Sequence, residues 1–212
     1  VQGVDLKGVI SFRDIYDVNT MIKYCETKNN AVVIGGGLLG LEAAYGLKQR
    51  GMNVTVLHLM DRIMERQLDG RASRMLRHSI EEKGIKIITE ANTEALIGKN
   101  GHVSQIRLKD GTLLDADLVV FAVGIRPNIT LAQSAGLRCN RGILVNDTMQ
   151  TFDPSIYAVG ECIEHRNQTF GLVEPLWWQA FICATHLAEH GSLTFKSPTV
   201  PTQLKVSGVD VF

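Results

Sequence analysis

The sequence carries no excess of charge of either sign. Its 212 residues include 22 lysines and arginines against 22 aspartates and glutamates, so the formal net charge is zero. A protein that binds nucleic acid or an anionic membrane through charge usually has a basic excess. We therefore expect no nucleic acid and no membrane among the partners of this chain.

Long apolar runs and paired cysteines are also missing. The hydrophobic stretches are much shorter than the about 20 residues that cross a bilayer, and the first residues lack the basic-then-apolar layout of a secretory signal. The four cysteines are far apart and form no C-x-x-C pair; they are Cys25, Cys139, Cys162 and Cys183. This spacing indicates reduced thiols in a cytoplasmic protein rather than a disulfide framework.

What the sequence does contain is a strand, a glycine-rich turn and a helix in immediate succession. The apolar run 31–34 is typical of a strand that is buried on both faces of a parallel sheet, and Gly35-x-Gly37-x-x-Gly40 follows it. Gly35 would allow a tight turn, Gly37 would let the backbone approach a pyrophosphate, and Gly40 would let the helix lie close to the strand.

The start of this helix is the predicted binding position of a dinucleotide. The N–H groups at Leu38 and Leu39 are free of intrahelical partners, and the positive end of the helix dipole favours phosphate there. Gly51 ends the helix, and the apolar residues 54–57 predict a second strand. The alternative is a turn that binds nothing, but the ordered succession of elements favours NADH or NADPH binding.

Periodicity extends the α/β pattern along the chain. Asp14 and Asp69 are placed to cap helices over about 15–27 and 70–83. The expected buried faces are Ile15, Val18, Ile22 and Cys25 in the first helix, and Ala72, Met75, Leu76 and Ile80 in the second. Alternation over 91–116, with the turn pairs Asn100-Gly101 and Asp110-Gly111, predicts an antiparallel β-meander.

Further elements follow from short apolar runs and from proline. Strands are predicted at 9–12, 85–89, 118–123, 156–159 and 203–206. Pro175 is placed as the first residue of a helix that reaches His190. The result is an α/β protein with a Rossmann-like domain that carries an inserted β-meander.

Several segments resemble a known family. GGGLLGLEAA at 35–44, AVGIRPN at 122–128 and TFDPSIYAVGEC at 151–162 resemble the FAD-dependent pyridine nucleotide–disulfide oxidoreductase superfamily. HLMDRIMERQLD at 58–69, VGECIEH at 159–165 and the LVEP start of the last helix are similar to the flavoprotein part of the NAD(P)H nitrite reductase large subunit.

The resemblance implies a domain plan. Residues 1–29 would end a first FAD-domain segment, 30–125 would form the NAD(P)-binding domain, 126–195 would return to a partial FAD-binding domain, and 196–212 would start a truncated interface domain. The family's FAD-binding glycine loop and its siroheme and iron–sulfur cysteines are not in this sequence. We expect a fragment whose FAD site is incomplete and whose partners are the N-terminal FAD half and the downstream redox domains of the same protein.

The resemblance also assigns roles on the nicotinamide side. Glu42 would orient the nicotinamide, although an acid in the first helical turn also complements the helix dipole. Gly124 would let the backbone pass close to the nicotinamide ribose; the alternative is a plain strand-end turn before Pro127.

On the flavin side, Gly160 and Glu161 match the family's Gly-Asp pair, whose acid contacts the ribityl or phosphate linkage of FAD. Glu161 is one methylene longer than that aspartate. Glu174, Pro175 and Leu176 match the helix start that faces the flavin ring. If the family resemblance is left aside, the sequence of this segment indicates an ordinary core helix.

His58 departs from the dinucleotide pattern, which places an acid near this position to bind the adenosine ribose. His58 and Arg62 would accommodate a 2′-phosphate, which indicates NADPH, but relatives that use NADH leave the preference open. Alternatively, His58 is an exposed strand-end residue that contacts no cofactor.

A zinc site is a weaker interpretation of two Cys/His pairs, Cys162 with His165 and Cys183 with His186. Their spacing does not match the common zinc fingers, so we expect no metal.

The expected function is hydride transfer from NAD(P)H to FAD in a nitrite reductase large subunit. One alternative is an NADH-dependent reductase of rubredoxin, ferredoxin or a thiol. A second, non-enzymatic alternative is an inactive fragment that only binds nucleotide. No residue is assigned as an acid, base or nucleophile.

Overall fold

The computed structural model describes residues 1–189, 191 and 193–197, which form two compact units. The first unit runs from Val1 to Gly124, and the second begins at Ile125. Each unit has its own hydrophobic core. Among the described residues, none of the helices combines the length and the apolar character that a membrane crossing requires.

The first unit is an α/β layer structure, as the sequence predicts. Its elements are β1 (Val9–Ser11), α1 (Ile15–Cys25), β2 (Asn30–Ile34), α2 (Leu38–Gln49), β3 (Asn53–Leu57), α3 (Gly70–Glu82), β4 (Ile85–Ile88), β5 (Thr93–Lys99), β6 (His102–Leu108), β7 (Leu113–Asp115) and β8 (Leu118–Phe121). Five strands pair in parallel in the order β1-β8-β2-β3-β4. The first 29 residues therefore contribute β1 and α1 to the unit that holds the glycine turn, and their assignment to a FAD domain stays a prediction.

Both faces of the parallel sheet are covered, which explains its continuous apolar runs. Val33 packs in the cluster that contains helix residues Leu41 and Leu47. Its neighbour Val32 packs on the opposite face with Ile106 of the meander. A strand between two layers needs apolar side chains at every position rather than at alternate ones.

Strands β5, β6 and β7 form the antiparallel meander that the sequence predicts. The first turn is the Asn100-Gly101 pair, with φ values of 53° and 78°. Both residues lie in the left-handed region that two-residue hairpin turns require. Asn and Gly are the residues that enter this region at least cost, so the turn fixes the pairing of β5 with β6.

The predicted helix caps are present, but the buried faces differ. Asp14 accepts hydrogen bonds from two backbone N–H groups of α1, and Asp69 Oδ1 accepts one from Ala72 at 2.8 Å. In α1 the buried residue is Met21, whereas Ile15 is 63% exposed. In α3 the buried residues are Ser73, Leu76 and Ile80, whereas Met75 is 64% exposed. The spacing of apolar residues in α1 and α3 is compatible with more than one buried face. Packing against the rest of the unit determines which face of each helix is buried.

The second unit contains α4 (Thr130–Ser134), β9 (Ile143–Leu144), β10 (Ile163–His165), β11 (Gln168–Thr169) and α5 (Val173–Leu187). The predicted strand at 156–159 is wrong, since that segment makes one isolated bridge, between Tyr157 and Gln150. Helix α5 starts two residues before Pro175 and ends at Leu187, before the predicted end. A proline is tolerated throughout the first turn because no intrahelical bond needs its N–H. The predicted strand at 203–206 lies outside the described residues.

Candidate functional site

Two glycines of the turn after β2 are required by close backbone packing. Gly35 has a φ of 126°, and a Cβ on it would lie 2.2 Å from the carbonyl oxygen of Ala122. A Cβ on Gly40 would lie 1.9 Å from the carbonyl oxygen of Gly35. The turn therefore rests on the end of β8, and α2 rests on the turn, as the sequence predicts for these two positions.

Gly37 is different, because nothing in the fold requires a glycine there. Its φ of −87° suits any residue, and it precedes α2 without a side-chain cap. A Cβ on Gly37 would have no heavy atom within 4 Å. The first N–H groups of a helix have no intrahelical partner, so those at Leu38 and Leu39 adjoin this open space. The space beside Gly37 is therefore open, and a side chain at this position would occupy it.

The ends of three neighbouring strands lie at this edge of the sheet. Gly35 follows β2, His58 follows β3, and Ala122 to Gly124 follow β8. Because the strands are parallel, their carboxyl ends form one rim, where open α/β sheets bind ligands. Gly124 is exposed, with a φ of 98° that only glycine adopts readily.

His58 is buried beneath the turn, so its interpretation as an exposed residue is wrong. The residue is 9% exposed. The backbone N–H of Gly36 donates to Nδ1 at 3.0 Å, and Nε2 lies 3.0 Å from Oε2 of Glu65. Both ring nitrogens are therefore used within the protein.

The loop between β3 and α3 is attached to the same turn. The N–H of Met64 donates to the carbonyl oxygen of Gly36 at 3.0 Å. Ser73 Oγ donates to the carbonyl oxygen of Ile63 at 2.8 Å, and Ile63 and Met64 are buried. Arg62 is half-buried in this loop: its Nε is buried without a hydrogen-bond partner among the described residues, and its Nη1 lies 3.3 Å from both carboxylate oxygens of Asp61.

Glu42 is the fifth residue of α2, so its interpretation as a first-turn acid is wrong. It is partly buried on a helix that packs into the core. Burial raises the pKa of the Glu42 carboxyl above its ordinary value. Burial of an acid costs desolvation free energy, and this makes Glu42 a candidate functional residue.

The residues that the resemblance assigns to the flavin side lie in the second unit, around the start of α5. Gly160 has a φ of 101°, and its N–H donates to Oε1 of Gln179 at 2.8 Å. Pro175 is buried and Leu176 packs on the core of this unit, whereas Glu174 is exposed in the first turn. Glu161 is partly exposed next to Gly160.

Gln179 is a candidate site residue that the sequence did not single out. It is fully buried, and its Nε2 has no hydrogen-bond partner among the described residues. An unpaired buried amide is unusual and indicates a missing partner. A polar residue four positions after Pro175, on the face of α5 that also buries Ile182 and Cys183, was the available signal. The residues around Gly160 therefore fit a polar ligand such as FAD.

The two Cys/His pairs are engaged elsewhere. His165 Nε2 lies 2.8 Å from Asp147 Oδ1, and His186 Nδ1 lies 2.9 Å from the hydroxyl of Tyr157. Cys162 Sγ donates to the carbonyl oxygen of Val159 at 3.4 Å. Within residues 1–189, 191 and 193–197, no group of three or more His, Cys, Asp or Glu side chains is arranged to hold a metal.

The cysteines do not form an activated thiol. Burial raises the pKa of all four thiols, those of Cys25, Cys139, Cys162 and Cys183. A nucleophilic or redox-active cysteine usually has a lowered pKa. All four are free of disulfides.

With this geometry established, comparison with known proteins identifies the family. The family model of pyridine nucleotide-disulphide oxidoreductases matches residues 1–180. The chain belongs to this family. The resemblance stated from the sequence motifs is confirmed, and so is the α/β fold class.

Two relatives of the chain come from Bacillus subtilis strain 168. The chain is 51% identical over its whole length to a nitrite reductase [NAD(P)H] of Bacillus subtilis strain 168, and 44% identical to an assimilatory nitrate reductase electron transfer subunit of the same organism. It covers 26% and 27% of those two proteins, so it spans about a quarter of their length.

A solved structure has the same fold. An NAD-dependent persulfide reductase from A. fulgidus superposes with a TM-score of 0.91 and 29% identity. The match covers 97% of this chain and 39% of the persulfide reductase chain. The same fold is therefore observed in a protein that is named for its dependence on NAD.

Proposed function

We propose that this chain is the NAD(P)H-binding, electron-input part of a flavoprotein oxidoreductase, in the large subunit of an assimilatory nitrite reductase. The open space beside Gly37 is the observation that carries the proposal. Packing explains the glycines at 35 and 40, whereas position 37 faces open space beside the first N–H groups of α2, where a diphosphate would lie. The identity to the nitrite reductase of B. subtilis supports the choice of enzyme.

Within the first unit, the chain would bind and orient the nucleotide. Backbone N–H groups at Leu38 and Leu39 would donate to the diphosphate, and the dipole of α2 would favour its charge. Glu42 and the Gly124 turn would position the nicotinamide end. His58 and Arg62 lie on the adenosine side, at the end of β3 and in the loop that follows it.

Within the second unit, the chain would supply part of a FAD site. The Gly160 turn, which Gln179 holds, and Glu161 would contact the ribityl or phosphate linkage. Glu174, Pro175 and Leu176 would border the ring. When bound, FAD accepts a hydride from NAD(P)H and releases the electrons one at a time; the protein supplies position and electrostatics.

The remaining parts of the machinery would lie in the same polypeptide, because the matched relatives are about four times longer. We infer that an N-terminal FAD half and downstream redox domains are the partners of this chain. The free thiols at all four cysteines support a cytoplasmic location.

Calorimetric titration of Gly37→Ala with NADH and NADPH tests the proposal. The added Cβ meets no atom of the fold, but glycine is preferred over alanine at the N-cap, so we expect a loss of stability of roughly 0.5–1 kcal/mol and a folded chain. It would stand in the path of the diphosphate, so we expect affinity for both nucleotides to fall at least about tenfold.

Gly46→Ala is the matched control in the same helix. Gly46 also has open space around its Cβ position but lies two turns from Gly37. We expect it to stabilise α2 by about 0.5–1 kcal/mol and to leave both affinities unchanged. Equal binding by Gly37→Ala and the unmodified chain would contradict the proposal.

A further inference from the structure

We propose that His58 is a positioning residue that brings the carboxylate of Glu65 to the end of β3, and that this carboxylate makes the site select NADH over NADPH. The proposal rests on the proposed function, since it concerns the adenosine end of the same nucleotide. It replaces a direct contact of His58 with a ribose hydroxyl or a 2′-phosphate.

The hydrogen bonds of His58 fix its tautomer. The N–H of Gly36 can only donate, so Nδ1 of His58 must accept this bond of 3.0 Å. The ring hydrogen therefore lies on Nε2, which donates to Oε2 of Glu65 at 3.0 Å. The His58 side chain is 11% exposed and that of Glu65 is 23% exposed. The ring has no hydrogen-bonding atom left for a nucleotide, whereas Glu65 still reaches solvent.

A second set of contacts holds Glu65 in place. The next residue back, Met64, donates its N–H to the carbonyl oxygen of Gly36 at 3.0 Å. A Cβ on Gly36 would lie 2.9 Å from both Cγ of His58 and Cγ2 of Ile63, so ring, loop and turn are in tight contact. The glycine turn, His58 and Glu65 consequently form one assembly at the end of β3.

The chemistry of this position decides which nucleotide it favours. An acid near the end of the second strand of a dinucleotide-binding unit accepts hydrogen bonds from the ribose hydroxyls. It also repels a 2′-phosphate by like charge. Here the strand ends in a histidine, but Glu65 Oε2 lies within hydrogen-bond distance of that ring. Glu65, seven positions after His58 in the sequence, thus supplies the negative charge that an acid at the end of the strand would carry.

The nearby cations do not cancel this charge. Arg66 Nε lies 3.8 Å from Glu65 Oε1, but the Arg66 side chain is 87% exposed, and an exposed pair of this length is weak. Arg62 has its Nη1 3.3 Å from both carboxylate oxygens of Asp61. Oε1 of Glu65 therefore keeps its capacity to accept a hydrogen bond from a ribose hydroxyl.

The test is a calorimetric comparison of NADH and NADPH binding to the chain and to its variants. Glu65→Gln keeps the size and the acceptor for His58 but removes the charge. His58→Asn keeps an acceptor near Gly36 but has no donor that reaches Glu65. We expect the unmodified chain to bind NADH more tightly. We expect both variants to lower the ratio of the NADPH Kd to the NADH Kd, and Glu65→Gln to lower it about tenfold.

Helix α3 offers a matched control pair, His78 and Glu82, whose Nε2 and Oε1 lie 3.3 Å apart on an exposed surface. We expect His78→Asn and Glu82→Gln to leave the ratio unchanged. The ratio is informative because a general loosening of the turn would weaken both nucleotides equally. If His58→Asn does not fold, Glu65→Gln alone decides.

Two results would overturn the inference while the proposed function stands. One is binding of both nucleotides with a ratio that Glu65→Gln does not change. The other is tighter binding of NADPH that Arg62→Gln abolishes, which would give the discrimination to Arg62. Failure of the unmodified chain to bind either nucleotide would overturn the proposed function, and the inference with it.

Discussion

At the scale of single residues, Glu42 shows how the burial of one carboxyl makes stability depend on pH. Burial raises its pKa, so the unfolded chain ionises this group at a lower pH than the folded chain does. The contribution of Glu42 to stability is therefore most favourable below the ordinary carboxyl pKa. It falls as the pH rises from that value through the folded pKa, and the loss persists at neutral pH.

Glu42→Gln removes the ionisable group and keeps the shape of the side chain. We expect a higher Tm than that of the unmodified chain at pH 8 and a smaller difference at pH 4, measured by thermal unfolding in matched buffers. Glu82→Gln, on the exposed face of α3, is the control for loss of one charge. If Glu42 orients the nicotinamide, the stabilised variant should bind NADH less tightly. A Tm difference between Glu42→Gln and the unmodified chain that grows toward acid pH would contradict the predicted pH dependence.

At the scale of elements, β10 of the second unit is held at its end by a network around Asp147. Hydrogen bonds from Arg166 and then from His165 lower the pKa of the Asp147 carboxyl. Arg166 Nη2 lies 2.6 Å from Oδ2, and His165 Nε2 lies 2.8 Å from Oδ1. The contribution of the Asp147 carboxylate to stability is present above the ordinary carboxyl pKa. It is lost as the pH falls from that value through the folded pKa.

Asp147→Asn should therefore destabilise the second unit most at neutral pH and little in acid. The expected observation is that the difference in Tm between variant and unmodified chain shrinks as the pH falls below about 4. Glu94→Gln, which removes the exposed partner of Arg107 at 2.6 Å, serves as the surface comparison and should have a smaller effect at neutral pH. An equal Tm difference at every pH would contradict the role of the carboxylate charge.

At the scale of the whole molecule, the chain consists of two compact units that meet in sequence between Gly124 and Ile125. The first unit has a sheet covered on both faces, and its two apolar clusters lie within residues 1–124. We expect residues 1–124, produced alone, to unfold cooperatively and to bind NADH with an affinity within about fivefold of that of the full chain. Calorimetry and denaturant unfolding measure both quantities, and an unfolded product would contradict the independence of this core.

Local chemistry was sufficient to predict much of the fold. The sequence pattern predicts three features directly: the capping aspartates, the Asn100-Gly101 turn and the strand at 31–34. The caps and the turn depend on neighbours in the sequence, and the apolar run 31–34 indicates a strand in a sheet that is covered on both faces. Helix rotation was not predictable in the same way. Met21 rather than Ile15 is buried, because the position of α1 against the sheet depends on residues far along the chain.

The same distinction applies to the candidate site. The sequence by itself determined the glycine turn, the family, and the presence of a histidine where an acid is usual, because these depend on residue type and spacing. Only the tertiary structure decided that His58 is buried with both nitrogens bonded, that Glu65 is brought back beside it, and that Gln179 lies under Gly160. Those contacts join residues that are 7 to 22 positions apart in sequence, and packing, which no local pattern encodes, sets their distances.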